Sequence, residues 1–204
     1  MRRLALFSLA LVSLFALARP AAAQAVVGQK APAFTAKDSE GRTRSLSEFR
    51  DKVVVLEWWN PECPFVGKHY GSGNMQKLQK EWTGKGVVWL TVNSSALGRQ
   101  GHVDAAQANA LMKQRGAAPT ALLLDADGAI GRAYGARTTP HMFVIDSTGT
   151  LVYAGGIDDE PSTDREDIAT AHNYVAAALV EVTSGRRVTT ATSRPYGCSV
   201  KYGS

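Results

Sequence analysis

Val53-Val54-Val55-Leu56-Glu57-Trp58-Trp59, followed by Asn60-Pro61-Glu62-Cys63-Pro64, is the stretch that decides the fold. Its first seven residues are apolar, β-branched or aromatic apart from one acid. Such a run predicts a central strand buried on both faces. Asn60-Pro61 breaks the strand, and Pro64 stands where the first residue of a helix would be, a position that tolerates a missing N–H. Phe65, Tyr70, Met75, Leu78 and Trp82 then recur at helical spacing, with Gly71 and Gly73 placed to kink the helix. Gly84-Lys85-Gly86 ends it, and Val87 to Val92 reads as a second buried strand. Strand, helix, strand predicts a parallel pair with a right-handed crossover.

Outward from this unit, Val27 to Phe34 reads as an extended entry. Residues 34–38 and 42–46 read as two short strands around a turn at Ser39-Glu40-Gly41, and Ser47-Glu48-Phe49 as a helical turn. Downstream, Asp104 is placed to cap a helix over residues 105–114, residues 121–125 form a strand and residues 130–134 a short helix. Residues 141–146 and 150–154 form an antiparallel hairpin around Ser147-Thr148-Gly149. A helix is expected from Asp164 through Val182, then an irregular tail carrying Cys198.

Met1-Arg2-Arg3, an uncharged apolar run from Leu4 to Ala18, and the small residues Ala21-Ala22-Ala23 form the pattern of a cleavable secretory signal. The run is shorter than the roughly 20 residues a membrane span needs. Residues 1–23 are therefore expected to be removed, leaving one domain over residues 24–204, exported to a bacterial periplasm with no membrane segment of its own. The chain has 204 residues, 45% of them hydrophobic and 20% charged, which excludes disorder and a disulfide-dense miniprotein. Its formal charge of +5 owes much to Arg2, Arg3 and Arg19 in the leader. The near-neutral remainder lacks a Lys/Arg cluster, which argues against nucleic-acid binding.

Cys63 carries the chemistry. A cysteine at a helix start meets unpaired N–H groups and the positive end of the helix dipole, both of which favour thiolate. Lys68 and His69, one turn on, add positive potential in this reading. Glu57, six residues earlier and among apolar neighbours, should be hard to ionise; it either relays a proton to or from the thiol or points to the sheet margin and pairs with a lysine. Thr139-Pro140 enters a strand, where the missing N–H is tolerated.

Together these residues resemble the thioredoxin fold, and the entry segment (Gly28 to Phe34, Asp38, Gly41, Leu46, Lys52-Val53-Val54) resembles its thiol-specific antioxidant branch, the AhpC/TSA-related redoxins. Asn60 to Val66, Arg132 to Asp146 and Gly197-Cys198-Ser199-Val200-Lys201 look like a peroxiredoxin-like subgroup. The resemblance implies an α/β chain: a mixed central sheet flanked by helices, with an N-terminal β-hairpin extension and a C-terminal tail carrying the second cysteine. It also implies that Pro140 is a cis-proline facing Cys63. Thr139, Pro140, Pro64 and Trp59 are expected to border the substrate. The chain departs from the family twice. Val66 stands where a Cys-x-x-Cys pair would have its second cysteine. The same position would hold the peroxide-reducing cysteine, and the Pro-x-x-x-Thr-x-x-Cys pattern is absent.

The expected activity is thiol–disulfide exchange with protein thiols or disulfides, Cys63 attacking, Glu57 relaying the proton and a folded-back tail presenting Cys198 as resolving thiol, with Tyr196 and Tyr202 packing the return. A structural bridge, or two thiols that never meet, are the alternatives; any bridge needs the Cα atoms within about 7 Å. Thiol peroxidase activity at Cys63 is a second function. A module binding Cu(I) through Cys63 and Cys198 is a third, because soft thiolates select that ion. No cofactor is expected. His69, His102, His141 and His172 lack ligand spacing; His141 either approaches Cys63 or is a partly exposed strand residue. Asp158-Asp159-Glu160 reads as a solvated turn, and one of Trp58 and Trp59 as an exposed docking aromatic.

Overall fold

The computed structural model describes residues 24–203, so the expected leader lies outside the described residues. The strands are β1 (Thr35–Asp38), β2 (Thr43–Ser45), β3 (Val54–Trp58), β4 (Val88–Asn93), β5 (Ala121–Leu124), β6 (Thr138–Thr139), β7 (His141–Ile145), β8 (Leu151–Gly155) and β9 (Cys198–Ser199). The helices are α1 (Pro64–Gly71), α2 (Asn74–Gly84), α3 (Ala105–Gln114), α4 (Ala129–Tyr134) and α5 (Tyr174–Thr183). One sheet runs β2-β1-β5-β4-β3-β7-β8. β3, β4 and β5 are parallel, while β7 and β8 on one side and β1 and β2 on the other are antiparallel. This is the mixed sheet and N-terminal hairpin expected from the sequence.

β3 lies between β4 and β7, and all five of its residues are buried. Strand alternation splits it. Val55 and Trp59 enter a core with Cys63, Val66, Tyr70, Met75, Trp89, Met142 and Leu179. Val54, Leu56 and Trp58 enter another with Phe34, Leu90, Ile130, Tyr134 and Phe143.

The single helix expected after Cys63 is two helices. Gly73, at φ +77°, adopts a left-handed conformation that suits glycine and separates α1 from α2. Asp104 caps α3 as expected, accepting from Gln107 N at 2.8 Å, while Gln107 Oε1 accepts from Asp104 N at 3.0 Å. The helix expected from Asp164 begins later. Residues 166–169 form one 3-10 turn, and Asn173, whose side chain accepts from Ala176 N at 2.8 Å, starts α5. The tail is not irregular throughout, because β9 pairs antiparallel with β6.

Candidate active site

The Cys63 loop is held from several sides. Asn60 Oδ1 accepts from Glu62 N at 2.9 Å, Cys63 N donates to Asn60 O at 3.2 Å, and Arg115 Nη2 donates to Pro61 O at 2.7 Å. Arg115 also lies over the rings of Trp59 and Tyr70, its guanidinium carbon 5.7 and 5.4 Å from their centroids. Cys63 is the residue before α1, and Pro64 is the first residue of that helix and exposed. Arg115 carries no motif, and its distance along the chain hides its role from sequence reasoning.

The tail brings Cys198 to this loop. Thr139 pairs with Cys198 and Thr138 with Ser199, and both cysteines are thiols. As a thiol, Cys63 donates to Thr139 O across 3.0 Å. Burial pushes its pKa up, but hydrogen bonds from the Cys198 thiol, the Thr139 hydroxyl and the N–H groups of Val66 and Cys198 outweigh burial and leave the pKa below the ordinary thiol value. Cys198 moves the opposite way. Burial, donation to Cys63 and the Cys63 charge push it up to about 11, against the pull of Lys201. The pair is therefore asymmetric: one thiol of lowered pKa and one neighbour that holds its proton.

Thr139-Pro140 is a cis peptide. Both residues are buried, Thr139 at 2% exposure, because β9 covers them. Trp59 is 1% exposed and Trp58 is equally buried, its Nε1 donating to Ser94 Oγ at 3.0 Å. No docking aromatic is exposed at these two positions, because alternation delivers one to each core.

Glu57 lies in the middle of the sheet and fully buried, with no lysine partner. Its Oε1 accepts from Tyr70 OH at 2.8 Å, and its Oε2 from Trp89 Nε1 at 2.8 Å, Gln79 Nε2 at 3.1 Å and Thr91 Oγ1 at 3.2 Å. Burial raises its pKa, and these four donors oppose the rise. None of the four leads on to Cys63: the chain of bonds through Gln79 ends at Ala118 N, 2.9 Å from Gln79 Oε1.

Three expectations are corrected. His69 adds no positive potential, because burial and the nearby Lys68 charge hold its pKa down to about 3. His141 neither approaches Cys63 nor lies exposed. Its ring packs on Phe143 at 4.4 Å, its Nδ1 accepts from Arg137 N at 3.3 Å, and burial holds its pKa down to about 3. Asp158 is buried rather than solvated and accepts from Tyr196 OH. Tyr196 OH is also 3.1 Å from His69 Nε2, and its ring meets Phe65 edge-on at 5.9 Å. Lys68 Nζ donates to Glu160 O at 2.8 Å in the same region. Tyr196 was legible as packing, and its buried partners were not. Among the described residues, no three His, Cys, Asp or Glu side chains cluster as a metal site would need.

A central mixed sheet, a cysteine at the strand-to-helix junction and a cis-proline before β7 define a thioredoxin-like redoxin. Residues 27–154 match the AhpC/TSA family, and the chain belongs to it. The thiol-disulfide oxidoreductase ResA of Bacillus thuringiensis is 28% identical over 126 residues, covering 62% of this chain and 67% of that one. A Coxiella burnetii protein named for peroxiredoxin bcp is 29% identical over 57% of this chain and 71% of its own. The crystal structure of a hypothetical protein from Sinorhizobium meliloti has 26% identity and a TM-score of 0.74, over 88% of this chain and 96% of that one. That last likeness extends well beyond residue 154.

Proposed function

We propose that this protein is an exported thiol–disulfide oxidoreductase in which Cys63 attacks and Cys198 resolves. The observation that carries the reading is the pairing of Thr139 with Cys198, which sets a proton-bearing thiol beside a thiol of lowered pKa. The Cys63 thiolate attacks one sulfur of a substrate disulfide. A mixed disulfide forms and the first substrate thiolate leaves. Cys198 then gives up its proton and attacks Cys63 Sγ, the Cys63–Cys198 disulfide forms, and the second substrate sulfur leaves as a thiol carrying that proton. Substrate gains two electrons from the two protein sulfurs and one proton from Cys198, and the first thiolate takes its proton from solvent. Run backwards, the same steps oxidise a dithiol.

Glu57 shares the Cys63 face of β3, and its raised pKa suits a proton store for this exchange. With no bonded path to Cys63, it acts through a water or through its field. The leader pattern of residues 1–23 supports export to an oxidising compartment, where a disulfide couple can work.

The test is alkylation trapping of both thiols across a glutathione redox series, read by intact mass and a non-reducing peptide map. A Cys63–Cys198 bridge that opens at a moderate potential supports the reading. A bridge that resists all but strong reductant makes Cys198 a staple. Two thiols that never pair, together with saturating peroxide kinetics at Cys63, replace it with a peroxidase.

A further inference from the structure

We propose that β9 occupies, from within the chain, the place a polypeptide substrate strand would take beside Cys63, so that a protein thiol or disulfide reaches Cys63 only by displacing this strap. The inference rests on the oxidoreductase reading and adds a rule of access to it.

A short edge strand offers free N–H and C=O groups to an incoming extended peptide, which binds by adding a strand. β6 is such an edge, directly before Pro140. Its pairing is spent on Cys198 and Ser199, and Val200 N continues the ladder to Arg137 O at 3.0 Å. Cys198 pairs with Thr139, whose carbonyl accepts from the Cys63 thiol at 3.0 Å, and so holds the position a substrate cysteine would need. Cys63 is left 1% exposed. Gly197 makes the approach possible. Its φ is +131°, and a Cβ there would lie 2.1 Å from Thr139 O, so a side chain would drive the two segments apart.

The strap is anchored at its ends and light in the middle. Before β9, Ser193 Oγ lies 2.7 Å from Tyr153 OH and accepts from Gly156 N at 2.9 Å, and Tyr196 is held by Asp158 and His69. After β9, Ala96 N donates to Lys201 O at 2.9 Å, Tyr202 OH to Ala136 O at 2.8 Å and Arg132 Nη2 to Gly203 O at 2.7 Å. Gly197 and Ser199 contribute little besides the ladder itself, and Cys198 adds one partly buried side chain against the Cys63 core. The segment can therefore lift between two fixed points. Lifting also takes Cys198 away from Cys63. A mixed disulfide between Cys63 and a polypeptide then persists until the strap returns; Cys198 attacks Cys63 Sγ, and the polypeptide sulfur leaves with the Cys198 proton. Release of a protein substrate is in this way coupled to reseating of β9.

The experiment uses the Cys198→Ser chain, in which Cys63 is the remaining thiol. Mixed-disulfide formation at Cys63 is timed by mass with two probes, oxidised glutathione and an unfolded polypeptide carrying one activated cysteine. Adding Gly197→Ala should speed the polypeptide reaction about ten-fold, the scale of one lost hydrogen bond and its strain, and the glutathione reaction distinctly less. Equal acceleration of both probes, or of neither, in a folded variant overturns the proposal. Should Gly197→Ala not fold, hydrogen exchange on the Cys198→Ser chain decides. The Val200 N–H should lose protection when Cys63 carries the polypeptide and keep it with glutathione, and unchanged protection in both overturns the strap. These readouts do not depend on a Cys63–Cys198 couple, so the strap can stand where the redox titration fails. A Cys63 that reacts with neither probe in any form overturns both readings.

Discussion

The two thiols are built in opposite ways. Cys63 is made by neighbours in sequence: the end of β3, a turn through Asn60 and Pro61, and a helix that opens on Pro64. Cys198 has no such setting. It lies in a tail of scattered polar residues, and its position comes from backbone pairing with β6 and from anchors on either side. One thiol therefore has its place set by a dozen residues, although its lowered pKa comes chiefly from Cys198 and Thr139, whereas the other gains even its place only when the chain is folded. The lowered pKa of Cys63 and the raised pKa of Cys198 are one interaction seen from its two ends, since the proton that Cys198 keeps is the one it offers to Cys63.

Substitution separates the roles most sharply. Cys63→Ala should abolish disulfide exchange, while Cys198→Ser should still attack but stall, accumulating a mixed disulfide at Cys63 visible by mass. Attack and release that continue in Cys198→Ser at the parent rate would end the resolving role. The pH dependence of alkylation comes next. Cys63 should titrate below the ordinary 9.0 and Cys198 near 11, so near neutral pH Cys63 should react more than about ten-fold faster, following its thiolate fraction. In Cys198→Ala the Cys63 midpoint should rise, because the thiol that donates to Cys63 is removed. A midpoint that does not move would show that the N–H groups alone set it.

The remaining tests address the scaffold beneath the two thiols. Glu57→Leu leaves the buried donors of Tyr70, Gln79, Trp89 and Thr91 without their acceptor, at a cost of about 3 kcal/mol or more in chemical denaturation. The carboxyl also leaves a mark on the stability curve. Burial raises its pKa in the folded chain above the ordinary 4.5, so the folded state holds the proton longer than the unfolded state. The stability linked to this group is full below about pH 4.5 and is lost as pH climbs through the raised value. Glu57→Gln should flatten that decline, and a variant whose pH–stability curve keeps the parent shape would place the titration elsewhere. Tyr196→Phe removes one hydroxyl from both Asp158 and His69 and should cost about 1–2 kcal/mol; it should raise the Cys63 alkylation rate while leaving its midpoint nearly unchanged. Asp104→Ala, which removes the α3 cap far from the tail, should cost about 1 kcal/mol and leave the reactivity ratio of the two thiols as it was.

Much of the fold was legible because its strongest signals are local. The β3 run, the Gly84-Lys85-Gly86 stop, the cap at Asp104 and the hairpin at residues 141–155 each follow from patterns a few residues long. The failures share a cause. The late start of α5 at Asn173 and the burial of Asp158 depend on distant partners: His172 N, just before that start, donates to Asp159 Oδ1 at 2.7 Å, and Tyr196 comes from the tail. His141 was ambiguous for the same reason, since a strand pattern gives alternation and leaves open which face meets Cys63.

By itself the sequence determined that a central strand ends near a cysteine, that a helix begins on the residue after it, and that the strand carries one acid. Apolar runs, proline and glycine set those features through backbone sterics and burial. Only the tertiary structure decided that Cys198 meets Cys63, that Glu57 is ringed by four donors, and that β9 fills the edge at Thr139. Each of these joins residues far apart in the chain, where no local preference operates and packing alone brings the groups within hydrogen-bonding distance.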